Sequence, residues 1–425
     1  MNSVGVKLKQ IRKDQNITQG ALAEGITNRS YISQIEKGMV KPSIKLLRKL
    51  CERLNCEVDA LFADQESNVI TLDIKNKLSS IENYVIHGEA IDGLKEDIKI
   101  VEDNIESLNN LDLALYYFCR GKYEKHYKKN RKDATEYLIK SIDLYKKSSL
   151  HQEKIRSVNE LVDIYVEHNN LSEAFDYLDT SYKELLIQNV GGIERIKFLT
   201  NLGIAHAKIG EYRSSIRFLQ SAIDLSDGMK VYVMTGQAHM VLGLCYKRVQ
   251  EYKLALSSYE KAVHYFKGVS DKLNLANTLT NIGILHRYEK SFDNSQNYFA
   301  ESQQIYKELN DGFGLLNLIY EMAVTQYYKN NFNKVLLLAK DFNAKLYGGF
   351  PPNITIKFNL LQGDAHFSMG ETKKGLELYR KAFSSKENTP ESQRDIAYYV
   401  SQKVGNLPEW NSIVRKYSLE FEFKY

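Results

Sequence analysis

Gly203, Gly243 and Gly283 stand 40 residues apart, and the stretches around them align without a gap. They read NLGIAHAKIGEYRSSIRFLQSAI from 201, VLGLCYKRVQEYKLALSSYEKAV from 241 and NIGILHRYEKSFDNSQNYFAESQ from 281. Tyr212, Tyr252 and Phe292 keep the register, as do Leu219, Tyr259 and Phe299. It continues through Ala323, Phe332 and Ala339 to Gly363, Gly375 and Tyr379. Upstream it slips by one residue, through Val162, Tyr165, Ala174 and Leu178 to Ala134 and Leu138. A fixed period of this length is a run of helix pairs, each too small to bury its apolar face alone. A small residue in each helix lets the pair approach closely, and a large residue one turn on fills the gap. We count six clear pairs and one or two degenerate ones, one of them over residues 70–108. No proline lies between Pro42 and Pro351, which suits an unbroken helical array.

The 425 residues allow two or three domains, and a 43% hydrophobic share with 26% charge supports a globular core. No run approaches 18 apolar residues, so no membrane contact is expected. The opening MNSVGVKLKQIRKDQN lacks a secretory core, and the expected compartment is the cytoplasm. Cys51, Cys56, Cys119 and Cys245 have no metal-ligand spacing and read as reduced thiols. His206, His286 and His366 fall in register, but two repeats separate neighbours by roughly 20 Å, too far for one metal. They read as packing residues. No phosphate-binding loop, nucleophile elbow or HExxH is present, so neither an enzyme nor a cofactor is expected.

Residues 1–62 hold eleven Lys/Arg and six Asp/Glu, so the whole net charge of +5 sits there. A basic surplus confined to one unit is the footprint of phosphate contact. Val4, Leu8 and Ile11 share one helical face, with Lys7, Lys9, Arg12 and Lys13 opposite. Thr18 caps a second helix; Asn28 caps a third, in which Ile32 and Ile35 point inward. Gly38 is the left-handed stop. Pro42–Ser43 opens a fourth helix with Leu46, Leu47, Leu50 and Leu54 inward. A short fifth holds Val58, Leu61 and Phe62. The run TQGALA…SYISQIEKG…PS resembles the Cro/repressor-type helix-turn-helix domain over residues 4–62. That placement puts Arg29 and Gln34 toward guanine and adenine edges, with Ser30 and Ser33 as adaptable contacts. Gln19, Tyr31, Lys37 and Lys41 are expected on phosphates.

The LG…Y…A…F…A spacing of the remaining chain resembles the tetratricopeptide repeat, whose usual period is 34. The expected fold is all-α: a five-helix helix-turn-helix domain (1–63), a linker (64–72) and a right-handed repeat superhelix (73–425). Helix A of each pair is expected to line the concave side. Lys197, Gln237, Asn277, Asn317 and Lys357 stand six places before successive signature positions, and Asn201 and Asn281 two places before theirs. Asn and Gln offer both donor and acceptor, which suits an extended peptide backbone. Lys208, Lys247, Arg248, Arg287 and Tyr288 follow on the same helices, and their positive charge suits a carboxylate. We take Asn201, Gln237, Asn277, Asn281, Asn317, Lys247, Arg248, Arg287 and Tyr288 as the candidate peptide site.

The combination resembles the cytosolic peptide-pheromone receptors of Gram-positive bacteria, the Rap, Rgg, NprR, PlcR and PrgX group, and most nearly its NprR and PlcR branch. The resemblance implies a transcription regulator that binds a double-stranded DNA operator and a short re-imported signalling peptide. It implies a homodimer, or a tetramer once peptide is bound. It also implies contact with a response-regulator protein in the peptide-free state, linked to sporulation. Ile396 to Val400, Trp410, Tyr417, Leu419, Phe421 and Phe423 either cap the array or form a dimer surface. Two other readings stay open: a phage arbitrium-type receptor, and a repeat scaffold for a protein partner whose DNA binding ignores peptides.

Overall fold

The computed structural model describes residues 3–40, 42–61, 63–88, 93–188, 190–340, 352–386 and 388–405, with 408, 410–412 and 415 beyond them. Among these residues there are helices and no strands. The chain divides into two compact units, Met1–His168 with Thr180–Asn189, and Asn169–Asp179 with Val190–Tyr425.

The first unit opens with α1 (Ser3–Asp14), α2 (Gln19–Ala23), α3 (Arg29–Glu36), α4 (Ile44–Arg53) and a single 3-10 turn (Val58–Leu61). The helix starts are those expected from the caps. The Thr18 side chain accepts from Ala21 N–H, Asn28 from Tyr31 N–H and Ser43 from Leu46 N–H. Gly38 ends α3 at φ 72°. Leu8, Leu22, Ile32, Ile35, Leu47, Leu50 and Leu54 form one buried cluster. Gly5 permits the crossing of α1 and α3, since a Cβ there would fall 1.9 Å from the Ile35 carbonyl oxygen.

The segment 64–72, expected as a linker, is helical, as the first part of α5 (Ala63–His87). It contains neither Gly nor Pro, and acidic residues follow its start, so nothing local interrupts a helix. α6 (Leu94–Asp103) pairs with α5, where the degenerate repeat was expected. α7 (Asn110–Tyr123) runs into a π-helical turn, Glu124–Lys128, and packs on α8 (Arg131–Lys147). α9 (His151–Glu167) and α10 (Leu171–Ile187) continue the rhythm.

The second unit holds five pairs: α11 (Gly192–Lys208) with α12 (Tyr212–Met229), α13 (Thr235–Arg248) with α14 (Tyr252–Gly268), and α15 (Lys272–Tyr288) with α16 (Phe292–Glu308). α17 (Gly312–Tyr328) with α18 (Phe332–Lys340), and α19 (Pro352–Ser368) with α20 (Thr372–Phe383), complete them, and α21 (Pro390–Val404) follows. The 40-residue period resolves into two of 20. Gly210, Lys230, Gln250, Ser270, Lys290, Asn310 and Asn330 all have positive φ, each just past a helix end. A left-handed residue there ends the helix and turns the chain back. Most of these are not glycine, so the stops are invisible to a glycine search. At the far end Trp410, Ile396, Ala397 and Val400 are buried against Tyr379. These residues cap the last repeat; Tyr417, Leu419, Phe421 and Phe423 lie outside the described residues.

Candidate functional sites

The exposed face of α3 is built on its buried one. Ile32 and Ile35 are fully buried, and the moment of the helix turns Arg29, Ser30, Gln34 and Lys37 outward as exposed residues. Tyr31 and Ser33 are half-buried beside them. Lys41 lies outside the described residues.

Two residues of this unit face inward. Arg12, expected on the basic outer face of α1, is buried and pairs with the Glu36 carboxylate, Nε to Oε1 2.6 Å and Nη2 to Oε2 2.9 Å. It also donates to the Ile17 carbonyl at 2.7 Å. Gln19, assigned to phosphate, donates its amide to Glu36 Oε2 at 2.8 Å. Burial pushes the Glu36 carboxyl up, but the bonds from Arg12 and Gln19 outweigh it and hold it below the usual carboxylate range. The triad thus staples α1 and α2 to α3 under the recognition face. Arg53 ties α4 to the end of α2 through the Glu24 carbonyl. Glu36 is one of six acids in residues 1–62, and its place beside Ile35 on the inner side of α3 was the one signal for the triad. Its partner 24 residues away could not be read from periodicity.

In the second unit the candidate amides differ in how much they leave free. Asn281 and Gln237 are half-buried on α15 and α13, with no hydrogen-bond partner among the described residues. Asn277 shares the α15 face with Asn281, and its oxygen accepts from the Tyr306 hydroxyl at 2.7 Å, leaving its amide nitrogen free. Asn317 turns back to its own helix, donating to the Phe313 carbonyl at 3.1 Å. Asn201 is 4% exposed and sits within the α11 packing.

The cations divide similarly. Arg287 is buried, and its guanidinium donates to Glu321 Oε2 at 2.7 Å and to the Glu321 carbonyl at 3.0 Å. Its charge is already matched by the next A helix. Lys247 has no carboxylate partner among the described residues. Burial, then the positive charge of Arg248 and Arg287 set against Glu321, pushes its ammonium down to about 8. Arg248 is exposed, and the exposed Tyr288 stacks with Tyr252 at 6.2 Å. Lys197 is 3.6 Å from Glu194, and Lys208 and Lys357 are exposed. Gln237, Lys247, Asn277 and Asn281 therefore form a half-buried strip on α13 and α15 with unspent donors.

His206 and His366 each bond a glutamate five residues on, to Glu211 at 2.8 Å and Glu371 at 2.7 Å. His206 stacks on Phe218 and His286 on Tyr298. His206 also meets Phe175 of α10 edge-on at 5.1 Å, so these histidines serve packing within and between repeats.

Residues 8–61 match the helix-turn-helix family and residues 234–308 the tetratricopeptide-repeat family. The immunity repressor protein of Bacillus phage phi105 is 34% identical over 64 residues, which are 15% of this chain. The chain spans 44% of the length of that curated relative. The structure of NprR in complex with its cognate peptide NprX is similar over 82% of this chain and 99% of that one, with a TM-score of 0.52 and 17% identity. The apo form of RapI is similar over 90% of this chain and 97% of that one, with a TM-score of 0.51 and 15% identity. Both belong to the group that the sequence resembles. The chain joins an N-terminal helix-turn-helix domain to a tetratricopeptide-repeat array, and its overall fold is that of the NprR and RapI structures.

Proposed function

We propose that the chain is a peptide-responsive transcription regulator: α3 reads an operator in the DNA major groove, and the repeats receive a short signalling peptide. The observation that carries the peptide half is the strip of Gln237, Lys247, Asn277 and Asn281 with donors unused by the fold. These half-buried groups are open to solvent and none is among the buried unpartnered atoms, so their donors are available to a ligand that displaces water. An extended peptide supplies alternating N–H and C=O groups for the amides, and an Asp or Glu side chain of it supplies a carboxylate for Lys247. The DNA half is supported by the exposed Arg29, Ser30 and Gln34 and by the basic surplus of residues 1–62.

Peptide acts by population shift. A ligand touching several repeats favours one arrangement of the array, and only a difference in affinity between two states moves the equilibrium. The resemblance to the NprR and PlcR branch supports readout through a homodimer or a peptide-induced tetramer, and release of a response-regulator partner.

The test is size-exclusion chromatography with light scattering on the full chain, with and without a pool of synthetic peptides drawn from small secreted reading frames beside its gene. DNA affinity is measured in parallel. A peptide-dependent change in mass and operator affinity supports the receptor. DNA binding that no peptide alters points to the scaffold reading.

A further inference from the structure

Beyond the amide strip, α17, α19 and α21 enclose a cavity of about 350 Å³. Its walls are apolar and aromatic, with Tyr320, Tyr327 and Leu360 among them. Lys357 and Lys403 stand at its edge. Lys357 Nζ lies 5.7 Å from the centre of the Tyr320 ring, and Lys403 Nζ 5.9 Å from Tyr327 and 5.6 Å from Tyr399. Neither ammonium has a carboxylate partner among the described residues.

Among the described residues the one acid lining the cavity is already spent. Asp364 is buried, and its two oxygens accept from the Tyr379 hydroxyl, at 2.6 Å, and from the Tyr399 hydroxyl. Burial and the Asp364 charge push both phenols upward, so both remain donors at any working pH. The bonded carboxylate fixes α21 against α19 and α20 and sets Lys403 over the mouth. A ring of tyrosines would otherwise suit a cation. Here the rings already face ammonium groups of the same chain, so a cationic ligand would meet like charge.

We propose that this cavity receives the carboxy-terminal residue of the peptide ligand, an apolar or aromatic side chain entering it while the free α-carboxylate bridges Lys357 and Lys403. The proposal rests on the receptor reading and adds the end of the ligand to it. Alternate helices pack about 9 Å apart, so α19 stands about 18 Å from α15; an extended residue covers about 3.3 Å, so roughly six residues reach from Lys357 back to the amides of α15.

The probes are N-acetyl-L-phenylalanine and N-acetyl-L-phenylalaninamide, titrated by ligand-observed NMR against the full chain. They differ only in the charge of the terminal group. The acid is expected to bind at least about tenfold tighter than the amide. The preference disappears in Lys357→Met/Lys403→Met, which retains the stems and melts like the wild type. Equal affinity of the two probes, an acid preference that survives the double substitution, or no saturation by the acid up to about 10 mM overturns the assignment. The receptor reading fails separately, when no peptide alters mass or DNA affinity.

Discussion

A Cβ built on Gly243 would stand 2.6 Å from the ring carbons of Tyr259, sixteen residues on in the paired helix. The relation recurs: Gly283 meets Phe299 at 2.5 Å, Gly363 meets Tyr379 at 2.5 Å, and Gly203 meets Leu219 at 2.6 Å. Each of these four repeats is closed by a ring or branched chain lying on bare backbone. Gly283→Ala forces the rigid Phe299 ring to move. It should destabilise by about 1–3 kcal/mol, read as a lower thermal midpoint, with partial recovery in Gly283→Ala/Phe299→Leu.

The Arg12–Glu36 pair gives a second expectation. Glu36→Ala leaves a buried guanidinium unmatched and should cost about 3–5 kcal/mol in urea unfolding of the helix-turn-helix region. The folded-state carboxyl of Glu36 lies below its unfolded value, so its contribution is complete above the unfolded value near 4.5. It is lost as pH falls from there through the folded value. The wild type should therefore lose stability over that acid window more steeply than Glu36→Gln.

On α3 the expected effects separate by role. Arg29→Ala should weaken a specific operator by about 1–3 kcal/mol and relax the preference at one base. Lys37→Ala should weaken all sequences alike and lower the slope of affinity against salt by about one unit. Filter binding across a salt series distinguishes them, and an Arg29 variant with unchanged sequence preference removes that residue from base readout.

Lys247 links peptide binding to pH. Its folded value of about 8 lies below the ordinary 10.5, so between these values the unfolded chain holds more protons and stability rises with pH. A peptide Asp or Glu side chain beside Lys247 raises its value again. Binding at about pH 8.5 should then take up a proton, and binding at about pH 6 should not. Calorimetry in two buffers of different ionisation enthalpy measures the uptake, and Lys247→Met should abolish it.

Asn281→Ala is the cleaner probe of the amide strip. Asn277 also holds the Tyr306 hydroxyl, so its truncation mixes ligand and packing effects. Asn281→Ala should reduce peptide affinity by about 1–3 kcal/mol, with the thermal midpoint and DNA affinity of the free protein unchanged. Retained peptide affinity would place the ligand backbone elsewhere.

The sequence by itself determined the helical class, the caps at Thr18, Asn28 and Ser43, and the glycine–ring register of the repeats. These are local matters: a side chain capping its own turn, or a small residue recurring at the helical period. Periodicity also placed Gln237 and Asn281 on an open face. Tertiary structure decided which of the marked residues had a charge or amide left over. Gln19 and Arg12 were claimed by Glu36, Arg287 by Glu321 and the oxygen of Asn277 by Tyr306. Those partners lie 17 to 34 residues away, on another helix, and a helical pattern records only which face a residue occupies. The pairing of Asp364 with Tyr379 and Tyr399, and the cavity it shapes, arise the same way, because three helices must pack before one carboxylate can accept from two of them.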